Sequence, residues 1–266
     1  MEKSLELINT FNELKLSQNF DFDKFNHYAI VHHSSTIEGS TLTEVETRLL
    51  LDENLTPKGK PLDHSLMVSD HYNALTFVIE QANLSHKVTP QFIQEINAHV
   101  MKRTGPVINT VLGTVDTSKG ELRKSNVSAG NSYFVNYDKV EQLLKNLCNR
   151  LNEALANPGN TLDMLNLSFD AHFDLMTVHP FYDGNGRTSR LLMNYLQQRS
   201  NLPLGLVFNE DKNEYFEALI TTRKTEDITV FRRFMHEQYQ KLLIREIDKF
   251  KDIQKPLPGK TFSLIF

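Results

Sequence analysis

Twelve residues, HPFYDGNGRTSR from His179 to Arg190, gather an imidazole, a carboxylate, a Gly-Asn-Gly turn and two guanidinium groups. Gly184 and Gly186 bracket Asn185, so the backbone there can take up positive φ angles. Such a backbone turns several N–H groups inward, as an anion-binding nest does. A helix is expected from residue 186 to 200, with Leu191, Leu192, Tyr195 and Leu196 on one face, and its N-terminus adds a dipole and free N–H groups to the same anion site. Arg187 and Arg190 lie three apart, so both are expected on one side of the opening turns, placed for bidentate contacts to phosphate oxygens. Asp183 at the mouth would repel a phosphate unless a divalent cation lay between them. Magnesium suits that place, since it takes one or two carboxylates plus phosphate oxygens. A neutral His179 can take a proton from an attacking hydroxyl. An ordinary turn accounts for DGNG alone, but it leaves the histidine and both arginines unexplained.

The elements that must position this stretch are helical. Apolar periodicity predicts helices over residues 2–16, 22–38, 43–52, 64–83, 90–103, 138–156, 162–178, 186–200, 211–224 and 228–250. Thr89 before Pro90 and Asp138 are expected as N-caps. Pro180 turns His179 away from right-handed helical angles, so the preceding helix ends there and the imidazole is presented from a loop. Strand signals are scarce. In GELRKSNVSAGNSYFVNY, residues 120–137, Val127 and the Tyr133, Phe134, Val135 run flank Ala129, Gly130 and Asn131, which predicts a β-hairpin. An open hairpin edge can hold an extended partner segment by strand addition.

Composition narrows the class of protein. A chain of 266 residues with net charge −4 has no overall pull toward nucleic acid or anionic membrane, and no DNA-reading motif is present. Cys148 falls among Leu143, Leu144, Leu147 and Leu151, which predicts a buried structural thiol. His32 and His33 lack a second ligand pair at usable spacing, so they are expected as a surface or partly packed pair rather than a metal site. The N-terminal MEKSLELINTFNELK is amphipathic, without the long apolar run of a signal peptide or membrane span, and a cytoplasmic location is expected. The C-terminal KDIQKPLPGKTFSLIF is expected to be a tail.

The stretch from His179 to Arg190 matches every specified position of H-x-F-x-D/E-G-N-G-R-x-x-R, and so resembles the signature of the Fic (filamentation induced by cyclic AMP) family. That resemblance implies a mostly α fold: a Fic-type helical bundle with a short β-hairpin flap. It also implies transfer of AMP from ATP, with magnesium, to a Ser, Thr or Tyr hydroxyl of a target protein. By position, His179 resembles the general base and Asp183 the magnesium ligand. Gly184, Asn185, Gly186 and Arg187 resemble the phosphate cradle, Arg190 the γ-phosphate arginine, and Phe181 a buried anchor. Gly120 and Arg123 resemble the G-x-x-R entry to the flap, whose Gly130, Asn131 and Ser132 would meet the target. Tyr215 and Phe216 occupy the region where family members present aromatics near adenine. Two departures stand out: Arg223 falls where some relatives carry an asparagine, and Val135, Asn136 and Tyr137 replace a proline pair after the flap.

Upstream, Ser34, Glu38 and Gly39 fit S/T-x-x-x-E-G/N, which in many Fic proteins marks an inhibitory helix, the arrangement called class II. Gly39 looks like a helix C′ residue, which leaves Glu38 at the negative end of a helix and in want of a cation. The resemblance supplies Arg190, which cannot hold Glu38 and a γ-phosphate together. The division expected is 1–87, an N-terminal helical region with the inhibitory helix; 88–240, the Fic domain; and 241–266, a helix end and tail. Two alternatives stay open: an enzyme that removes AMP or moves another phosphate-containing group at the same site, and a nucleotide-binding regulatory module with little turnover. A homodimer is also left open.

Overall fold

The computed structural model describes residues 2–16, 22–129 and 132–254. Among these, the helices are α1 (Glu2–Glu13), α2 (Phe22–Ile37), α3 (Glu44–Glu53), α4 (Leu62–Asn83), α5 (Pro90–Val100), α6 (Tyr137–Ala156), α7 (Thr161–Val178), α8 (Asn185–Arg199), α9 (Lys212–Thr225) and α10 (Ile228–Gln254). The strands are β1 (Val107–Thr110), β2 (Gly113–Asp116), β3 (Ser128–Ala129) and β4 (Ser132–Tyr133). The fold is mostly α, and every expected helix is present to within about one turn at each end.

Helix α8 lies at the centre, packed against α7, α4 and α5. Expected to carry one apolar face, it is buried all round: Leu191, Leu192, Met193, Tyr195 and Leu196 have no exposure, and neither do Thr188, Ser189, Asn194 and Gln197. Its buried amides reach the chain beyond the helix. Asn194 Nδ2 donates to the Gly205 carbonyl at 2.8 Å, and Gly205 N–H donates to Gln197 Oε1 at 2.8 Å. Helix α7 faces two hydrophobic cores: Ala171 and Leu175 join one built with α4, α5, α6 and α8, while Leu165, Phe169 and Met176 join one built with α1, α9 and α10. The α7–α8 hairpin is therefore gripped from both sides. Helix α1 adds Ile8 and Phe11 to the second core and α4 adds Val68, Leu75 and Val78 to the first, so residues 1–87 and 88–240 share their interior.

Two local expectations change. Helix α6 starts at Tyr137, not Asp138, and its first N–H is capped by Asn126 Oδ1 at 3.0 Å from the base of the flap. A second hairpin, unforeseen, pairs β1 with β2 in antiparallel register from Val107↔Asp116 to Thr110↔Gly113. Thr89 does cap α5, accepting from Phe92 N–H at 3.0 Å, with Pro90 at the first helical position.

Candidate active site

The loop between α7 and α8 is held by backbone and amide contacts. His179 ends α7 by taking left-handed angles (φ 50°, ψ 60°) while its N–H still closes onto Leu175 O at 2.9 Å. Phe181, 1 % exposed, anchors the turn. The Asn185 side chain brackets its backbone, accepting from Phe181 N–H at 3.0 Å and donating to Phe181 O at 2.9 Å. Asn185 thus closes the loop while still lining the cavity. Asn97 Nδ2 bonds Asp183 O and Thr188 Oγ1, each at 3.1 Å, and ties the loop to α5.

The two glycines serve different needs. Gly184 has φ 77°, as expected, and a Cβ there would stand 2.6 Å from Asn97 Nδ2. Gly186 is helical, in line with the helix expected from residue 186, and leaves room for the inhibitory-motif carboxylate: a Cβ there would meet Glu38 Oε1 at 2.3 Å. Helix α8 has no side-chain N-cap. Its opening N–H groups are therefore available to an anion, which is what the nest was expected to supply.

Glu38 already sits there. Its Oε1 is 2.6 Å from an Arg190 guanidinium nitrogen; Arg190 Nε donates to Ser34 Oγ at 2.8 Å and the same terminal nitrogen approaches Ser34 O at 3.3 Å. Arg190 is 3 % exposed and Glu38 27 %. Burial pushes the Glu38 carboxyl up, but Arg190 and then Arg187 outweigh it and hold the group below its ordinary value. The chain reverses just after α2 through Gly39 (φ 104°), as its C′ role requires.

Arg187 is more deeply engaged with its neighbours than with solvent. It is 2 % exposed behind the loop, with one terminal nitrogen 3.2 Å from Met101 Sδ and with Nε and the other terminal nitrogen unpartnered. Asp183 is 58 % exposed at the mouth, 3.8 Å from Arg187, and its Oδ1 accepts from Gly184 N–H at 2.5 Å. No group of three or more His, Cys, Asp or Glu side chains among the described residues could hold a metal alone. Asp183, an exposed carboxylate at the mouth, is of the donor type that magnesium takes.

On the other side, His179 stacks on Phe134 with ring centres 3.7 Å apart and planes 13° apart. Burial lowers the imidazole pKa to about 4; the Arg223 and Arg123 cations add to this, while the Met176 carbonyl and Glu38 pull the other way. The ring is therefore neutral at physiological pH. Arg123, 2 % exposed, donates from Nε to His179 O at 2.8 Å and reaches Ser125 O and Val135 O, so it stitches the catalytic loop to the flap. Gly120 (φ 65°) lets this segment pass α5, where a Cβ would overlap Gln94 O. In the flap itself Ser132 pairs with Ala129; Gly130 and Asn131 lie outside the described residues.

One cavity of about 380 Å³ unites Glu38, His179, Asp183, Gly184, Gly186 and Arg190, and Phe216 and Arg223 also line it. Tyr215 borders it but has no exposure: His172 Nε2 lies 2.8 Å from its hydroxyl, and Phe216, Phe231 and Phe234 crowd its ring. This closes Tyr215 to base stacking and makes it a support beneath Arg190. Phe216, 37 % exposed, keeps a face toward the cavity. Sequence reasoning missed the site role of Phe134. The period of two in a strand could have found it, since Tyr133 is 88 % exposed and its neighbour must face the other way.

The remaining candidates are structural. His33 packs edge-on against Phe208 and bonds Asn209, and His32 is buried beside Thr47. Cys148 is buried, which pushes its thiol up to about 12. No helix among the described residues is long and apolar enough to cross a membrane.

Fold and cavity together define a helical protein that carries its histidine-bearing anion loop at the head of a central buried helix. Residues 87–197 match the model of the Fic/DOC family. A protein adenylyltransferase Fic from Drosophila grimshawi is 27 % identical over 232 residues, covering 87 % of this chain, and the chain spans 45 % of that relative's length. Among solved structures, a Fic domain containing signaling protein from Bacteroides thetaiotaomicron superposes with TM-score 0.80 at 21 % identity, over 97 % of this chain and 100 % of that one. Fic-1 (residues 134–508) from C. elegans gives TM-score 0.74 at 25 % identity, over 94 % of this chain and 73 % of that one.

Proposed function

We propose that the protein transfers AMP from ATP to a hydroxyl of a target protein and rests with that activity held down by Glu38. One observation carries the reading: a neutral imidazole and the uncapped N-terminus of α8 open into the same cavity. A target Ser, Thr or Tyr oxygen attacks the α-phosphorus, the bond to the β-phosphate oxygen breaks, and pyrophosphate leaves. His179 accepts the hydroxyl proton. The N–H groups at the head of α8 and the unpartnered nitrogens of Arg187 and Arg190 stabilise phosphate charge. Asp183 would hold magnesium, which would neutralise charge on the phosphates. Positioning and electrostatics carry most of the rate enhancement in this chemistry. The name borne by the Drosophila relative supports the same reaction, and a cytoplasm, where ATP and magnesium abound, suits it.

Inhibition follows from one guanidinium with two suitors. While Arg190 holds Glu38 at 2.6 Å it cannot hold a γ-phosphate, and the carboxylate presses on Gly186 where the phosphates would lie. A hydrolytic role for Glu38 has less support, because a carboxylate held low by two arginines is a weak base. The test is to incubate the Glu38→Gly variant with a lysate and α-labelled ATP, then identify labelled proteins by mass spectrometry. AMP on Ser, Thr or Tyr of recipient proteins is expected, at levels above those with the parent chain. No label transfer by either protein would sink the reading.

A further inference from the structure

Histidine side chains turn broadly about their last torsion, so an imidazole that must aim one nitrogen at a substrate needs an outside constraint. The usual constraint is a hydrogen bond to the other ring nitrogen. At His179 that constraint is weak: Nδ1 is buried with no partner at full hydrogen-bonding geometry, although the Met176 carbonyl still raises the imidazole pKa. What the ring has is Phe134, parallel to it at 3.7 Å. A stack on the face of an imidazole restrains its plane, excludes water from that face and leaves the in-plane lone pair free.

Phe134 is itself gripped. The Arg223 guanidinium carbon lies 5.3 Å from the centre of its ring. Arg223 in turn donates to Met176 O at 3.2 Å and to Thr177 Oγ1 at 3.4 Å, both in the last turn of α7 just before His179. Flap, α9 and the end of α7 thus meet at one stack. The asparagine that some relatives carry in place of Arg223 could not extend a cation over this ring.

We propose that Phe134, clamped by Arg223, is the positioning residue that aims the His179 imidazole, and that it couples the base to the target-binding edge of the flap. The coupling follows from chain order: Phe134 directly follows β4, so a target segment added to that strand sets the position of the ring that orients the base. The charged groups facing His179 are Arg223 from α9, Arg123 from the segment before the flap and Glu38 from beyond α2. This role rests on the adenylyl-transfer reading, but the stack can be tested apart from it.

The experiment follows the His179 ring by NMR in full-length protein with labelled histidine, in parallel with transfer kinetics in the Glu38→Gly background. In Phe134→Ala, water reaches the ring and the His179 pKa is expected to rise by about one unit or more. kcat should fall ~10- to 100-fold with the KM for ATP nearly unchanged, and the acid limb of the rate profile should move to higher pH. Phe134→Leu, which keeps bulk but not a planar face, should behave like Phe134→Ala; Phe134→Tyr should restore both readouts. An unmoved His179 titration in the Ala and Leu variants, or a loss shared equally between kcat and KM, overturns the proposal. If the Glu38→Gly parent transfers no AMP, the functional reading falls, and the NMR titration still decides whether the stack controls the imidazole.

Discussion

The loop between α7 and α8 has two banks, and they are built from different physics. Toward α2 it meets charge: Arg190, buried, is closed by Glu38 and Ser34 through directional bonds from a helix end fixed in the core. Toward the flap it meets a ring face and a network of carbonyls: Phe134 lies on His179, and Arg123 gathers His179 O, Ser125 O and Val135 O. On the proposed reading, the first bank occupies a ligand's place and must open for function. The second would leave the phosphate positions clear and could stay formed while that reaction runs. On that reading, a charged lock and an apolar rest divide inhibition from aiming across one loop.

The largest expected effect comes from the residue between the banks. In the Glu38→Gly background, His179→Ala should lower transfer by ~10²–10⁴-fold while calorimetry shows unchanged ATP affinity; transfer that survives would remove His179 as the base. Next is the lock alone. Releasing Arg190 from a competitor worth about 1.4 kcal/mol would tighten ATP binding ~10-fold, so Glu38→Gly should bind ATP at least that much better than the parent. The same variant should lose about 1–3 kcal/mol of stability without nucleotide, because a buried guanidinium is left short of a partner; added ATP should recover it. Equal ATP affinity in the two proteins would show that the α2 bank is no lock.

pH separates the banks more gently. Glu38 is held below its ordinary value, so its contribution is fully present above the unfolded carboxyl range and is lost only as pH falls through the lower folded pKa. Inhibition should therefore be constant from about pH 5 to 8. The imidazole, at about 4, is neutral over the same window. A parent-to-variant activity ratio that changed markedly across it would contradict the pairing. Smallest is Ser34→Ala, which removes one 2.8 Å bond to Arg190. It should weaken the lock by ~0.5–1.5 kcal/mol, read as a few-fold gain in ATP affinity well short of the Glu38→Gly value.

Much of this molecule was legible in local sequence. Helix periods, the Thr89 cap, the chain reversal at Gly39 and the buried Cys148 each depend on neighbours a few residues away. The β1–β2 hairpin was not read, although VINT and GTVD are rich in β-branched residues, because the intervening Val111 and Leu112 carry no turn signature. Gly186 shows a subtler limit. A glycine required for φ and one required for room look identical in sequence, and only the approach of Glu38 to 2.3 Å of the absent Cβ tells them apart. Tyr215 and Phe216 are adjacent, yet one is sealed under Arg190 and the other half-open to the cavity.

By itself, the sequence determined which groups stand in the loop from His179 to Arg190, that a helix follows it, and that Glu38 ends another helix in need of a cation. Tertiary structure brought Arg190, which the resemblance had implied, against Glu38 across 152 residues of chain, and it alone decided that Phe134 covers the imidazole. Turns, caps and helical periods are settled by short-range sterics and hydrogen bonding, whereas partners distant in sequence are chosen by how the buried faces of α2, α7, α8 and the flap pack together.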